Sequence, residues 1–161
     1  MSFPEIAELV YHLAAPASLL AAAYFFVREQ RRARRNEEVA IYQGLLDRYA
    51  DFVARVADNA DLGLLSSSPA ESPLTPEQKE RRRALFDLLI TLFERAFVLV
   101  REGDGRARER YWPPWEAFVR RWCRREDFRA ALPELLDGTD AEFQTFMRSM
   151  AQKSASAAGA A

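Results

Sequence analysis

The sequence contains an uncharged run of nineteen residues, Leu9–Val27, which is followed directly by a cluster of five arginines. As an α-helix this run would be ~29 Å long at ~1.5 Å per residue, close to the ~30 Å hydrocarbon thickness of a bilayer. The arginines lie at its C-terminal end only, and positive charge accumulates on the cytoplasmic side of membrane helices. We therefore expect a single transmembrane helix in the bacterial inner membrane, with the N-terminus outside and the rest of the chain in the cytoplasm.

The residues before this run argue against a cleaved signal peptide. A secretory signal begins with positive charge, whereas the flank before Leu9 carries Glu5 and Glu8 and no Lys or Arg. An uncleaved anchor fits this charge order. The alternative is a buried helix of a soluble protein.

Two kinds of contact are predicted for the anchor. Ala14, Ser18 and Ala22 recur every four residues, a spacing that lets a second membrane helix approach closely. An abundance of alanine in membrane helices would give the same pattern. The cluster of arginines is predicted to contact anionic lipid headgroups, at about 1 kcal/mol for each residue near the surface; its members are Arg28, Arg31, Arg32, Arg34 and Arg35.

His12 is the single histidine of the chain and lies near the start of the uncharged run. Neutral imidazole can ligate a haem iron or the magnesium of a chlorophyll-type pigment. Glu8 lies one helical turn earlier, a spacing that allows a local pair. The favoured interpretation is therefore an interfacial histidine bonded to Glu8, water or headgroups, with a cofactor ligand as the alternative.

The remaining sequence has the three- and four-residue periodicity of amphipathic helices and no alternating β pattern. One helix should run from Asn36 to about Asp58, continuous with the anchor. After a Ser/Pro linker at Ser66–Leu74, a capping box of Thr75 and Gln78 should open a helix to about Glu102. Further helices are expected from Trp115, around Pro133, and after a second capping box of Thr139 and Glu142.

The predicted fold is all-α: one N-terminal transmembrane helix followed by a small cytoplasmic bundle of about four to five helices. The predicted divisions are an anchor with its basic collar at 1–35, a helical domain at 36–150 and a low-complexity tail at 151–161. Within the domain, Glu94 lies in a nearly apolar helix, and a carboxylate there needs a partner. Arg120, Arg121 or Arg124 are the expected partners, unless Glu94 faces water.

Catalytic chemistry finds little support in the sequence. The predicted domain has no histidine for acid–base catalysis, and Gly103-Asp104-Gly105 lacks the other elements of a phosphate-binding loop. Cys123 is the single cysteine and has no partner base, so a structural role is expected. The net charge is −1, and the aromatics interleaved with arginines after Trp115 are typical of a core face beside a solvated face. We expect no enzyme activity, no metal or other cofactor, and no nucleic-acid partner.

Four segments in the second half of the chain resemble those of a known group of proteins: LTPEQKERRRALFDLLITLFERAF, WPPWEAFVRR, FRAALPEL and AEFQTFM. By helix order and aromatic spacing, Ile41 to Met150 resembles a group of uncharacterised bacterial proteins. These have one N-terminal membrane helix and a small helical cytoplasmic domain. The resemblance implies architecture and no activity, and Pro113-Pro114 and the Ala-rich tail depart from it.

Three functional hypotheses follow. The first is a non-enzymatic accessory or scaffold subunit that packs its membrane helix and its bundle against other membrane protein subunits. The second is a tethered helical sensor or partner-binding module. The third, weaker hypothesis is a subunit of an electron-transfer or light-harvesting complex in which His12 binds a haem or pigment.

Overall fold

The computed structural model describes the backbone of residues 3–65, 73–101 and 105–158, and their side chains except those of residues 3–21, 106, 107 and 158. It contains five α-helices: α1 (Phe3–Asp58), α2 (Pro76–Ala96), α3 (Gly105–Cys123), α4 (Glu126–Leu135) and α5 (Ala141–Ala158). A 3-10 turn at Ala60–Leu62 follows α1, and a π-helical turn at Phe97–Arg101 follows α2. These described ranges contain no strand, so the all-α prediction is confirmed.

The chain divides into two compact units, residues 1–40 and residues 41–161. The backbone of α1 is helical without a break from Phe3 to Asp58, as the continuous pattern predicted. In the first unit every described side chain from Ala22 onward is exposed except Glu38, which is half-buried.

The transmembrane helix in the predicted fold class is contradicted by the structure. Among the residues that the structure describes, no helix is long and apolar enough to cross a membrane. Of the uncharged run, the described side chains are those of Ala22–Val27, a stretch of ~9 Å against the ~30 Å that a span needs. Arg28 then ends it, and the side chains of Leu9–Ala21 lie outside the described residues.

The second unit is built around an aromatic core to which each of its helices contributes one face. Edge-to-face contacts join these helices: Phe86 of α2 meets Phe128 of α4 at 5.1 Å between ring centroids, and Phe97 meets Phe143 of α5 at 5.6 Å. Such pairs add about 0.5–1.5 kcal/mol each to the free energy from area burial. The largest side chains that are less than 2% exposed are Trp115, Phe52, Phe86, Phe93, Phe128 and Phe143.

Helix α2 begins where the sequence predicts. Thr75 accepts a hydrogen bond from the backbone N–H of Gln78, and the Gln78 side chain accepts one from the backbone N–H of Thr75. The same glutamine donates to Asp61, which also pairs with Arg81 at 2.6 Å. These two partners lower the pKa of the Asp61 carboxyl. The start of α2 is thus tied to the turn that follows α1.

Helix α3 begins ten residues before its predicted start at Trp115 and contains Pro113 and Pro114 in its interior. A proline inside a helix loses one backbone hydrogen bond and costs about 3 kcal/mol or more. Trp112 and Trp115 flank the pair and are 8% and 0% exposed. Burial of these two indoles offsets the backbone cost, a tertiary effect that local sequence rules do not contain.

The start of α5 also differs from the prediction. The side chain that caps the N-terminus of α5 is Asp140, whose carboxylate accepts hydrogen bonds from the backbone N–H groups of Glu142 and Phe143 at 2.9 Å each. The predicted capping box of Thr139 and Glu142 is therefore wrong. The backbone N–H of Asp140 donates to Glu94 Oε1 at 2.6 Å. Glu94 therefore stabilises the beginning of α5 and pairs with none of the three arginines expected for it.

Helix α5 continues into the residues that the sequence assigns to a low-complexity tail. It runs to Ala158, with Ala151 half-buried and Ser154 only 7% exposed. Within the second unit, α5 packs against α3.

Candidate functional site

The first candidate site is the segment Tyr24–Arg35 of α1, which we call the aromatic–arginine segment. Its apolar side chains are unusually open to solvent, since Tyr24, Phe25 and Phe26 are 64%, 64% and 65% exposed. A contiguous exposed aromatic stretch in a folded protein is typical of an interaction surface.

The five arginines predicted to bind headgroups all lie in this segment, and all are exposed. None of them forms an ion pair with another described residue, so their charges remain available to an external partner. By contrast, Arg81, Arg82 and Arg83 of α2 are all paired with carboxylates.

The predicted helix-packing face is only partly described. Ala22 is exposed, while the side chains of Ala14 and Ser18 lie outside the described residues. The same holds for His12, the candidate cofactor ligand. The packing and cofactor predictions for these positions therefore stay predictions.

The second candidate site is a groove between α3 and α5, which we call the α3–α5 groove. It consists of two adjoining concavities of about 960 and 510 Å³, which share Glu116, Met150 and Lys153. The lining residues advance together along both helices, so α3 and α5 run in the same direction. The larger concavity lies toward the N-terminal ends of both helices and the smaller one toward Arg124 and Ala157.

Arg101 lies at the larger end of the groove, in the π-helical turn. Its guanidinium carbon is 4.8, 5.7 and 4.6 Å from the ring centroids of Phe97, Trp112 and Phe146. Its Nη1 atom is buried and has no hydrogen-bond partner among the described residues. Cation–π contacts therefore hold this guanidinium in place of hydrogen bonds.

This groove was not predicted from the sequence. The signal that was present is the spacing of Phe97 and Arg101, four residues apart at the end of the apolar run of α2. Trp112 and Phe146 come from α3 and α5, and the sequence gives no indication that they meet there. The buried Trp115, Val119 and Trp122 agree with the predicted core face.

Cys123 offers no reactive thiolate. Its side chain is fully buried, and burial raises the pKa of the thiol to about 12, although Arg129 acts in the opposite direction. The neutral thiol persists at physiological pH, in agreement with the structural role expected for this cysteine.

No group of three His, Cys, Asp or Glu side chains in the described part of the chain is placed to hold a metal ion. The predictions that the protein is not an enzyme and needs no cofactor are not tested by this and stay predictions.

The fold and these two sites define a small all-α protein with an exposed basic segment and a groove. Comparison with family models, curated proteins and solved structures gives no match. The resemblance to uncharacterised single-pass proteins therefore stays a prediction.

Proposed function

We propose that the protein is a non-enzymatic accessory module that contacts an anionic lipid surface through the aromatic–arginine segment. The observation that carries this proposal is the combination of Tyr24, Phe25 and Phe26, each more than 60% exposed, with five arginines that form no ion pair with the described residues.

The physical basis is the interface between headgroups and acyl chains. Aromatic side chains favour this interface, and each arginine near an anionic surface contributes about 1 kcal/mol. The contact proposed here lies at the surface and requires no span. A location at the bacterial inner membrane and a partnership with other membrane protein subunits belong to the same proposal.

The test is flotation of the full-length protein with vesicles of phosphatidylcholine alone and with 30% phosphatidylglycerol added. Removing three arginine contacts should cost about 3 kcal/mol, or roughly a hundredfold in partition, for the variant Arg31→Gln, Arg32→Gln, Arg35→Gln. The matched control is Arg48→Gln, Arg55→Gln, Arg95→Gln, which changes the net charge equally at exposed positions of the second unit.

Binding to the anionic vesicles should fall only for the first variant, and it should weaken as salt is added. Equal losses for both variants would show that net charge alone governs binding. Equal partition of the wild type into neutral and anionic vesicles would refute the role of the arginines.

The second functional hypothesis, a sensor or partner-binding module, is favoured by the α3–α5 groove, whose volume lies within the range of ligand-binding clefts. The third hypothesis depends on His12 and is tested by the visible absorption of the purified protein before and after His12→Ala.

A further inference from the structure

We infer that the α3–α5 groove is a binding site for a monocarboxylate that carries an apolar chain, and that Arg101 binds the carboxylate. This site shares no residue with the aromatic–arginine segment and goes beyond the lipid contact proposed above.

Arg101 is preorganised for an oxyanion. The rings of Phe97, Trp112 and Phe146 contact its guanidinium, and no hydrogen bond or ion pair joins it to another described residue. A guanidinium that is fixed and partly desolvated loses little freedom when it binds a carboxylate through two parallel N–H donors. Arg101 is half-buried and lines the larger concavity. Its Nη1 atom is buried, so a carboxylate in that space would be bound through Nε and Nη2.

The groove also accommodates an apolar chain. Trp112, Pro113 and Met150 line the larger concavity. The smaller one continues from Met150 to Ala157, and its other lining residues are Glu116, Arg120, Arg124, Lys153 and Ser154. The two volumes, about 960 and 510 Å³, exceed what a carboxylate alone would occupy and fall in the range for small-molecule sites. A ligand that fills both must therefore be elongated.

The charges around the larger concavity favour a headgroup with a single negative charge there. Among the described residues, the larger concavity is lined by three cations, Arg101, Arg108 and Lys153, and by three carboxylates, Glu109, Glu116 and Glu142, whereas Arg120 and Arg124 line only the smaller one. A monoanion meets Arg101 with little additional repulsion. A phosphate dianion or a dicarboxylate would add a second negative charge beside these glutamates.

The test is isothermal titration of the full-length protein with decanoate, kept below its micelle concentration. Arg101→Gln removes the charge and the paired donors, and it should weaken decanoate binding at least tenfold. The matched control is Arg95→Gln, at an exposed arginine of α2 that pairs with no carboxylate in the described part of the chain. The affinity of this variant for decanoate should stay within twofold of wild type. Decanol, which has the chain without the charge, should bind at least tenfold more weakly than decanoate.

A second variant covers the case in which Arg101→Gln fails to fold. Ser149 is exposed and lines the groove, so Ser149→Trp should fill the space while the circular dichroism stays helical, and it should also weaken binding at least tenfold. The triple arginine variant of the aromatic–arginine segment should keep its affinity for decanoate, which separates this proposal from the lipid contact. The inference is overturned if wild type gives no binding heat, or if the folded variants bind decanoate as wild type does.

Discussion

Trp115 and Trp122 are both core tryptophans, but only one of the two indole N–H groups has a hydrogen-bond acceptor among the described residues. Trp115 is 0% exposed, and its Nε1 has no hydrogen-bond acceptor among the described residues. Trp122 is 5% exposed, and its Nε1 donates to the hydroxyl of Tyr49 at 3.5 Å, a long and weak bond. Replacing each by phenylalanine should therefore have different consequences for stability.

The common cost of the two substitutions comes from lost packing. Exchanging an indole for a phenyl ring removes about 40 Å² of buried apolar area, worth about 1 kcal/mol, and leaves a void worth about 1 kcal/mol more. For Trp122→Phe the lost hydrogen bond adds about 0.5 kcal/mol. For Trp115→Phe, removing a buried N–H group that has no acceptor among the described residues raises the free energy of unfolding by about 1–3 kcal/mol, which offsets the lost packing. The free energy of unfolding should fall by about 2.5 kcal/mol for Trp122→Phe and stay near the wild-type value for Trp115→Phe.

Urea unfolding of the full-length protein, followed by far-ultraviolet circular dichroism, measures this difference without relying on tryptophan fluorescence. With a slope of about 2 kcal/mol per molar urea, the midpoint should shift by about 1 M for Trp122→Phe and by little for Trp115→Phe. If Trp115→Phe lowers the midpoint as much as Trp122→Phe, the unpaired N–H carries no cost and the reasoning fails.

Three further predictions concern single residues. Thr75→Ala should destabilise the protein by about 1 kcal/mol in urea unfolding because Gln78 loses its capping partner, whereas Thr145→Ala, at an exposed site inside α5, should cost clearly less. Asp140→Ala should cost about 1–2 kcal/mol in the same assay, since two N–H groups of α5 lose their acceptor; a loss below 0.3 kcal/mol would contradict the cap. Cys123 should resist iodoacetamide at pH 8 until urea unfolds the chain. The pKa of the Cys123 thiol is higher in the folded protein than in the unfolded chain, so the neutral thiol stabilises the fold. This contribution should be complete below pH 9 and be lost as pH rises toward 12, and a Cys123→Ala variant should show no such loss.

Helix caps, helix ends and apolar helix faces could be predicted from the sequence because they depend on residues only a few positions apart. The capping box of Thr75 and the end of α1 at Asp58 follow from short-range spacing, and the structure contains both. The aromatic face of α3 was predicted from three- and four-residue periodicity for the same reason.

Features that depend on packing between distant residues were missed. The interior prolines of α3 are tolerated because the neighbouring Trp112 and Trp115 are buried by other helices. Glu94 found its partner at the backbone of Asp140, forty-six residues away, and a backbone N–H leaves no trace in side-chain patterns. The surroundings of Arg101 require contacts from three helical segments, so the larger end of the groove could not be predicted from sequence.

The shared direction of α3 and α5 has an electrical consequence. Each helix carries about half a positive elementary charge at its N-terminus and half a negative charge at its C-terminus. Because the two helices are parallel, their dipoles add, and both positive ends lie toward the end of the groove that contains Arg101. Glu142 in the first turn of α5 offsets part of this field. A bound carboxylate should therefore point its headgroup toward Arg101 and its chain toward Ala157, so the groove has a polarity as well as a shape.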